Sequence, residues 1–301
     1  MAHPFSNPAG QQLLESLRKI FQEKRIFHRK HKFIIFVCGG RLEDGQTSLR
    51  KQFIDWANEH LQEFICLLAE EALKDNFAGE GRRFVNLARF ESIIGEIADC
   101  VLIFPESAGS FAETGFFANS KIRKKTLVVN LLDFQTVDSF LNLGPIDTIN
   151  IDSFLRWTIY VNAQEPVDFA HIAERLTERV KWPQQRERLP YQRFGQFNFK
   201  QKLLVVFEVI RLLRLADLKT LRHVLVVCFK GNPRYSELTH ILRILLAAKF
   251  VERDGDYFKV VGGISLVEIE HVEIEKIFSQ VNLFYQKYST ELFDALPGVA
   301  K

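Results

Sequence analysis

The chain has 301 residues, of which 47% are hydrophobic and 26% charged, and its formal net charge is +3. This length favours two domains, because single hydrophobic cores stop growing near about 250–300 residues. The composition excludes a disordered or fibrous protein, and no apolar run approaches the ~20 residues of a membrane-spanning helix. The first residues lack the order of a secretory signal, so we expect a cytoplasmic protein without membrane contact.

The charge is distributed unevenly along the chain. Residues 1–32 carry seven Lys/Arg against two Glu, and residues 183–260 carry fifteen basic against seven acidic side chains. The remainder is therefore acidic overall. Such asymmetry indicates basic segments that meet a polyanion, although a solvated basic surface explains the charge alone equally well.

The four cysteines, Cys38, Cys66, Cys100 and Cys228, each lie alone in an apolar segment. No pair of them has the spacing of a metal site. We therefore expect buried thiols and no bound metal.

The first 182 residues alternate between helical and buried-strand patterns. A basic N-terminal region, 1–32, contains an amphipathic helix over 11–27. The predicted strands are 33–37, 64–68, 100–104, 126–130 and 157–161, with a helix as the alternative for 64–68. The predicted helices are 48–60, 87–98, one from near Ser110, and 169–180. Buried strands that alternate with helices are typical of an α/β fold with a doubly wound parallel sheet, here over 33–182.

The pattern changes after a polar, proline-containing segment at 183–197, which we interpret as a linker. Helices are predicted over 203–215, 218–229 and 236–248, and a β-hairpin over 250–260 turns at Asp254-Gly255. This is the order of a winged-helix domain, assigned to 198–301. An amphipathic helix over 267–288 completes it, packing on that domain or forming a dimer contact.

The strongest chemical motif is Phe-Pro-Glu-Ser-Ala-Gly-Ser-Phe-Ala-Glu-Thr-Gly at 104–115, which follows a buried strand and enters a helix. Ligands of such sheets bind beyond the carboxyl ends of strands, next to helix N-termini. We place Glu113 in the first turn of that helix, facing the crevice. Spacing alone favours a different interpretation, in which Ser110 and Glu113 form a helix capping box.

A second carboxylate, Glu91, belongs to the preceding helix, and Asp99 lies at the start of the next strand. Glycosidic cleavage needs one carboxylate to trap an oxocarbenium-like centre and another group to handle a proton. Taken alone, Glu91 is more typical of a solvated helix residue, and Asp99 of a turn at the entry to a strand.

The strand ending in Cys38-Gly39-Gly40, the Glu91 and Asp99 pair, and the motif at 104–115 together resemble the nucleoside deoxyribosyltransferase family. They are more similar still to the deoxyribosyltransferase-like effectors encoded with retron reverse transcriptases. The segment Phe-Leu-Asn-Leu-Gly-Pro at 140–145 resembles a further motif of those effectors. Most of the resembling residues lie within 85–120, and few lie after 183.

The resemblance implies that Glu113 is the nucleophile and that Glu91, which stands where the transferases have Asp, orients substrate or moves a proton. It implies a substrate pocket lined by Gly39, Gly40, Asp99, Ser107, Gly109, Ser110 and Asn142. It further implies a toxin of an anti-phage system that hydrolyses a nucleotide, with NAD as the expected substrate and no cofactor. Its partners would be the reverse transcriptase and the RNA-linked single-stranded DNA, in an oligomeric complex.

The nucleic acid is expected to bind the basic elements through its phosphates. The candidate contacts are Arg222, Lys230, Arg234, Arg243 and Arg253. Winged helices also dock proteins, which stays an alternative here. Two alternatives remain for the whole chain: a transferase that passes deoxyribose between bases, and a DNA-binding regulator that senses a nucleotide without cleaving it.

Overall fold

The computed structural model describes residues 4–28, 32–40, 48–73, 86–162, 167–180, 187–262 and 264–296. The chain forms two compact units. The sheet unit is Lys32–Gln184, and the helical unit combines Met1–His31 with Gln185–Lys301. The N-terminal residues therefore belong to the same unit as the C-terminal helices.

The helical unit starts with α1 (Pro8–Glu23), followed by the short strand β1 (Ile26–His28). The Asn7 side chain accepts a hydrogen bond from the Gly10 N–H at 2.7 Å and so caps the helix. The helix was predicted to continue to residue 27. It ends earlier because the chain becomes extended at Lys24 and enters β1.

The sheet unit contains five parallel strands in the order β3-β2-β4-β5-β6. The strands are β2 (Phe33–Cys38), β3 (Phe64–Leu67), β4 (Cys100–Ile103), β5 (Thr126–Leu131) and β6 (Ile159–Val161). The helices are α2 (Leu49–His60), α3 (Ala69–Ala72), α4 (Leu87–Ile97), α5 (Ala108–Ala118), α6 (Asp147–Asp152) and α7 (Ala170–Val180). The predicted mixed α/β architecture is thus confirmed.

Apolar side chains cover both faces of this sheet. Leu127 and Val129 of β5 belong to one buried cluster together with residues of α2 and α7. Val128, which points to the opposite face, packs with Ala118 of α5 and Ile149 of α6. Strands buried on both faces consist of continuous apolar residues, which explains the runs in the sequence.

The rest of the helical unit has three helices, a hairpin, a short strand and two further helices. They are α8 (Phe199–Leu213), α9 (Leu218–Phe229), α10 (Tyr235–Ala247), β7 (Val251–Asp254), β8 (Tyr257–Val260), β9 (Val267–Ile269), α11 (Ile274–Tyr288) and α12 (Thr290–Asp294). The hairpin turns at Gly255, whose φ is +59°. Ala216 pairs with Phe258 of β8, so the extended residues between α8 and α9 add a third element to the hairpin.

Two short strands of the helical unit were not predicted. β1 pairs with β9 in antiparallel fashion, with Ile26 opposite Ile269. The amphipathic helix predicted over 267–288 is therefore wrong for its first residues, and α11 begins only at Ile274.

The segment interpreted as a linker at 183–197 is folded where the structure describes it. Leu189, Phe194 and Phe197 are buried, and Leu189 N–H donates to the Ile26 carbonyl at 2.8 Å. Residues 183–186 lie outside the described residues. From 187 onward the segment is thus part of the helical unit.

Candidate active site

The candidate site lies at the carboxyl ends of β2 and β4, where the connections leave in opposite directions, β2 leading to β3 and β4 leading to β5. Ligands of parallel sheets bind where the strand order reverses in this way. Gly39 and Gly40 follow β2, and the 104–110 turn follows β4. The structure thus brings together the two predicted loops.

Gly39 is required by the close passage of Arg50. A Cβ at Gly39 would lie 2.8 Å from the Arg50 Cβ and 3.1 Å from the Phe104 Cβ. Gly40 has more room, with the Ser48 Cβ at 3.2 Å. The two glycines therefore allow the first turn of α2 to pack against the end of β2.

Arg50 was missed by the sequence analysis. It is only 6% exposed, and its guanidinium forms a two-pronged contact with Glu70, with Nη1–Oε1 at 2.8 Å and Nη2–Oε2 at 2.9 Å. Nη1 also donates to the Gly40 carbonyl at 3.2 Å. No local pattern marks this contact, because Glu70 follows β3 and Arg50 lies in α2.

Glu106 also has a role that the sequence did not reveal. Its carboxylate accepts the N–H groups of Leu49 at 2.7 Å and Arg50 at 3.0 Å, at the N-terminus of α2. A carboxylate at this end of a helix satisfies free N–H groups and complements the helix dipole. Glu106 thus fixes the 104–110 turn to α2.

The capping box of α5 consists of Ser107 and Ser110, and the predicted pairing of Ser110 with Glu113 is wrong. The Ser110 hydroxyl accepts from the N–H groups of Glu106 and Ser107, both at 2.9 Å, and donates to the Ser107 carbonyl at 3.0 Å. These bonds occupy the hydroxyl's donor and both acceptor positions. Ser110 therefore folds the turn and has no hydroxyl capacity left for a ligand, while Gly109 is exposed.

Because α5 begins at Ala108, Glu113 lies in its second turn and not in the first. Its Oε2 atom is buried and has no hydrogen-bond partner within the described part of the chain. A buried carboxylate oxygen without such a partner keeps hydrogen-bonding capacity that a ligand can use. Freed from the predicted capping role, the carboxylate is available for chemistry.

Five charged or ionisable side chains influence one another around this atom: Cys38, Arg50, Glu70, Glu91 and Glu113. Burial raises the pKa of Glu113, the Arg50 charge lowers it, Glu70 raises it, and the neighbouring Cys38 thiol lowers it. Burial, the Glu113 charge and Glu70 raise the pKa of Glu91 to about 7, against the opposing effect of Arg50. Glu91 therefore holds its proton up to near neutral pH.

Cys38 is a buried thiol, as predicted, and so is Cys100. Burial, followed by the charges of Glu113 and Glu91, raises the pKa of Cys38 well above its ordinary value. The thiol is thus held neutral and is not a thiolate nucleophile.

Asp99 lies at the opposite, amino end of the sheet. It precedes β4, its backbone N–H donates to the Ile34 carbonyl at 2.8 Å, and its Oδ2 accepts the Ile34 N–H at 2.9 Å. These two hydrogen bonds join the starts of β2 and β4. The predicted place of Asp99 in the substrate pocket is therefore wrong.

Asn142 folds its own loop. Its Nδ2 donates to the carbonyls of Phe134 and Val137, both at 2.8 Å, and its N–H donates to the Ser139 hydroxyl at 3.2 Å. These bonds use both N–H groups of the side-chain amide to hold the loop, which explains the residue type at this position without a ligand. Its predicted contact with substrate stays a prediction.

The five predicted phosphate contacts differ in accessibility. Lys230 and Arg234 are exposed, whereas Arg243 is only 5% exposed and is wrong as a surface contact. Arg222 donates to the Pro233 carbonyl at 3.2 Å and lies over the Tyr235 ring. Arg253 is half-buried and donates to the Gly255 carbonyl at 2.8 Å, so it shapes the hairpin turn.

Comparison with known proteins gives a family and two relatives. The model of the STM3845 retron effector protein family matches residues 46–253, more than half of the chain. An Escherichia coli protein named "Retron Ec73 putative ribosyltransferase/DNA-binding protein" is 36% identical over 124 residues, 40% of this chain and 39% of the relative. Another, named "Retron Ec86 putative ribosyltransferase/DNA-binding protein", is 32% identical over 156 residues, 48% of this chain and 46% of the relative.

The alignments thus span less than half the length of these relatives. No helix among the described residues is long and apolar enough to cross a bilayer. The same residues contain no cluster of histidine, cysteine and carboxylate side chains that would hold a metal ion.

Proposed function

Because the chain belongs to the STM3845 retron effector protein family, we propose that its sheet unit, as a doubly wound deoxyribosyltransferase-like domain, cleaves the N-glycosidic bond of a nucleotide. NAD is the proposed substrate. The observation that carries the proposal is the buried, unpartnered Oε2 of Glu113 in one cluster with Glu91, whose pKa is raised to about 7. The names of the two relatives support glycosyl chemistry in general.

In the first step, Glu113 Oε2 attacks the anomeric carbon as the bond to the base nitrogen breaks and its electron pair leaves with the base. Nicotinamide leaves as a neutral molecule and needs no proton, whereas a purine would take one from Glu91. In the second step, ionised Glu91 removes a proton from water, the water oxygen bonds to the anomeric carbon, and Glu113 is released.

Arg50 has two tasks in this scheme. Its charge lowers the pKa of Glu113 and so opposes the effect of burial, which favours the ionised nucleophile. Its contact with Glu70 fixes the guanidinium, so that the charge stays near the carboxyl pair. Arg50 is thus a positioning residue, because its proposed action passes through Glu113.

We further propose that the helical unit is a winged-helix module that binds nucleic acid, under control of the retron reverse transcriptase and its RNA-linked DNA in the cytoplasm. The helix order, the hairpin and the pairing of Ala216 with Phe258 support this assignment. Lys230 and Arg234 are the proposed phosphate contacts among the five predicted residues, because both are exposed.

The test is quantification of nucleotides by liquid chromatography in cells that express the wild-type chain or Glu113→Ala without the reverse transcriptase. Loss of NAD and of growth only with the wild type is the expected result. If all nucleotides stay level with soluble, folded wild-type protein, the hydrolase proposal fails in this setting. Tight nucleotide binding that survives Glu113→Ala, without any turnover by the wild type, would instead indicate a sensing regulator.

The relatives' names favour a second candidate, transfer of the sugar to another acceptor. Both reactions share the glycosyl-enzyme and differ in the group that releases it. Addition of a free base to the purified chain separates them. Faster turnover with a new glycosylated product indicates transfer, and an unchanged rate with free sugar product indicates hydrolysis.

A further inference from the structure

A cleft of about 290 Å³ lies in the helical unit. It is bounded by Gln22 near the end of α1, by the folded segment at 191–196, and by Phe229 and Lys230 at the end of α9. Its volume is at the lower end of the range of small-molecule sites, about 300–1,000 Å³. Lys230 is also one of the proposed phosphate contacts, whereas Arg234 and the hairpin residue Arg253 do not line the cleft.

Aromatic rings form the inner wall of the cleft. Phe229 is buried and Tyr191 half-buried, with ring centroids 5.8 Å apart. The Tyr191 hydroxyl donates to the Cys228 carbonyl at 2.7 Å and accepts from Gln22 Nε2 at 3.1 Å. These bonds hold Tyr191 in place before any ligand arrives, and a fixed aromatic surface is suited to a planar base.

The rim of the cleft is cationic and contains side-chain amides. Arg193 and Lys230 are both exposed, and no carboxylate belongs to the described lining. Gln196 Oε1 accepts the Arg193 N–H at 3.2 Å, which leaves its amide N–H₂ group free to donate to a ligand. Two cations beside an amide donor attract an anion that also has a hydrogen-bonding edge.

We propose that this cleft binds one nucleoside phosphate, with the base against Tyr191 and the phosphate between Arg193 and Lys230. The same chemistry is offered by a free nucleotide and by one nucleotide of a single strand. The inference extends the proposed nucleic-acid binding of the helical unit. The version in which the ligand is one nucleotide of a single strand rests on that proposed function. It places that contact in a pocket apart from the hairpin.

The strand form is tested with the full-length chain and a fluorescein-labelled, 5′-phosphorylated single-stranded oligodeoxynucleotide, by fluorescence anisotropy. Arg193→Gln and Lys230→Gln are each expected to weaken binding by about tenfold, the worth of one charge-assisted phosphate contact. Each is also expected to reduce the slope of log affinity against log salt by about one.

Lys249→Gln is the matched control. Lys249 is also an exposed lysine with left-handed backbone, φ +55° against +47° for Lys230, and it does not line the cleft. The substitution therefore removes the same charge with the same backbone demand. A loss of less than about twofold is expected for it, because only general electrostatic attraction changes.

The free-nucleotide form is tested by thermal shift and by displacement of the labelled strand with dAMP, dCMP, dGMP and dTMP, with inorganic phosphate as the baseline. If a mononucleotide raises the melting temperature of the wild type and Lys230→Gln abolishes that stabilisation, the cleft binds a free nucleotide. Binding of the labelled oligonucleotide without stabilisation by any mononucleotide supports a strand as the ligand. Equal loss in Lys249→Gln and Lys230→Gln overturns the cleft but leaves nucleic-acid binding intact, and no binding of any probe by the wild type overturns both.

Discussion

Each unit contains a glutamate with a buried carboxylate oxygen, and the two differ in what surrounds the carboxylate. Glu208 of the helical unit is fully buried, and Arg211 satisfies both oxygens, with Nε–Oε2 at 2.8 Å and Nη2–Oε1 at 2.5 Å. Glu113 of the sheet unit has a buried Oε2 without a partner in the described part of the molecule. Burial raises the pKa of both. A saturated carboxylate is thus explained by folding, whereas an unsaturated one calls for a ligand.

The largest expected effect is the difference in NAD turnover between substitutions at Glu113 and at Glu208. Glu113→Gln removes the nucleophile and should lower NAD turnover by at least ~10³-fold, with stability retained or raised. Glu208→Gln breaks a buried ion pair, so it should lower the free energy of unfolding by about 3 kcal/mol without changing kcat. Turnover assays and chemical denaturation of both variants measure the contrast. Comparable kcat losses in the two would remove the distinction.

The second effect concerns two glycines of the candidate pocket. Gly39→Ala would place a Cβ 2.8 Å from that of Arg50, and we expect a loss of about 1–3 kcal/mol with displacement of the arginine. Gly109→Ala is the control, because the atom nearest to its new Cβ would be Ser107 Oγ at 3.7 Å, an ordinary contact. Thermal denaturation should show a loss only in the first. If Gly109→Ala stays stable but loses substrate affinity, close approach of substrate to the turn is supported.

The sequence predicted the central strands β2, β4 and β5 closely because each is buried on both faces and leaves a continuous apolar run, such as 100–104. The partly buried β6 begins at Ile159, two residues after its predicted start. It did not predict β1 and β9, since three-residue strands that pair across more than 200 residues leave no local pattern. The candidate carboxylates were found through a resembling motif. Arg50 was missed because its partner Glu70 is fixed by the packing of α2 beside β3.

The third effect is a pH-dependent stability at Glu91. Its folded-state pKa, about 7, is raised above the ordinary value of 4.5, so its stabilising contribution is complete below pH 4.5 and is lost as pH rises through 7. Glu91→Gln should therefore increase stability by about 1–2 kcal/mol at pH 8 and have little effect at pH 5. Denaturation curves at both pH values measure it. If Glu91→Gln were less stable than the wild type at pH 8, the claim that the ionised Glu91 carboxylate destabilises the folded state would be contradicted.

The smallest effect distinguishes leaving groups. Because nicotinamide needs no proton, kcat for NAD should rise up to about pH 7, as Glu91 becomes available to activate water. A purine nucleotide needs the protonated Glu91, so its kcat/KM should fall above the same pH, by roughly tenfold per pH unit at most. Steady-state profiles with both substrates measure the difference. Parallel profiles would assign the proton transfers to another group.

The most direct measurement is peptide mass mapping after the full-length wild-type chain is mixed with NAD and quenched rapidly in acid. The predicted result is a glycosyl adduct on Glu113, within the peptide that carries α5, and its absence from Glu113→Gln. An adduct on another residue, or turnover by the Glu113→Gln variant at the wild-type rate, would contradict the assignment of Glu113 as the nucleophile.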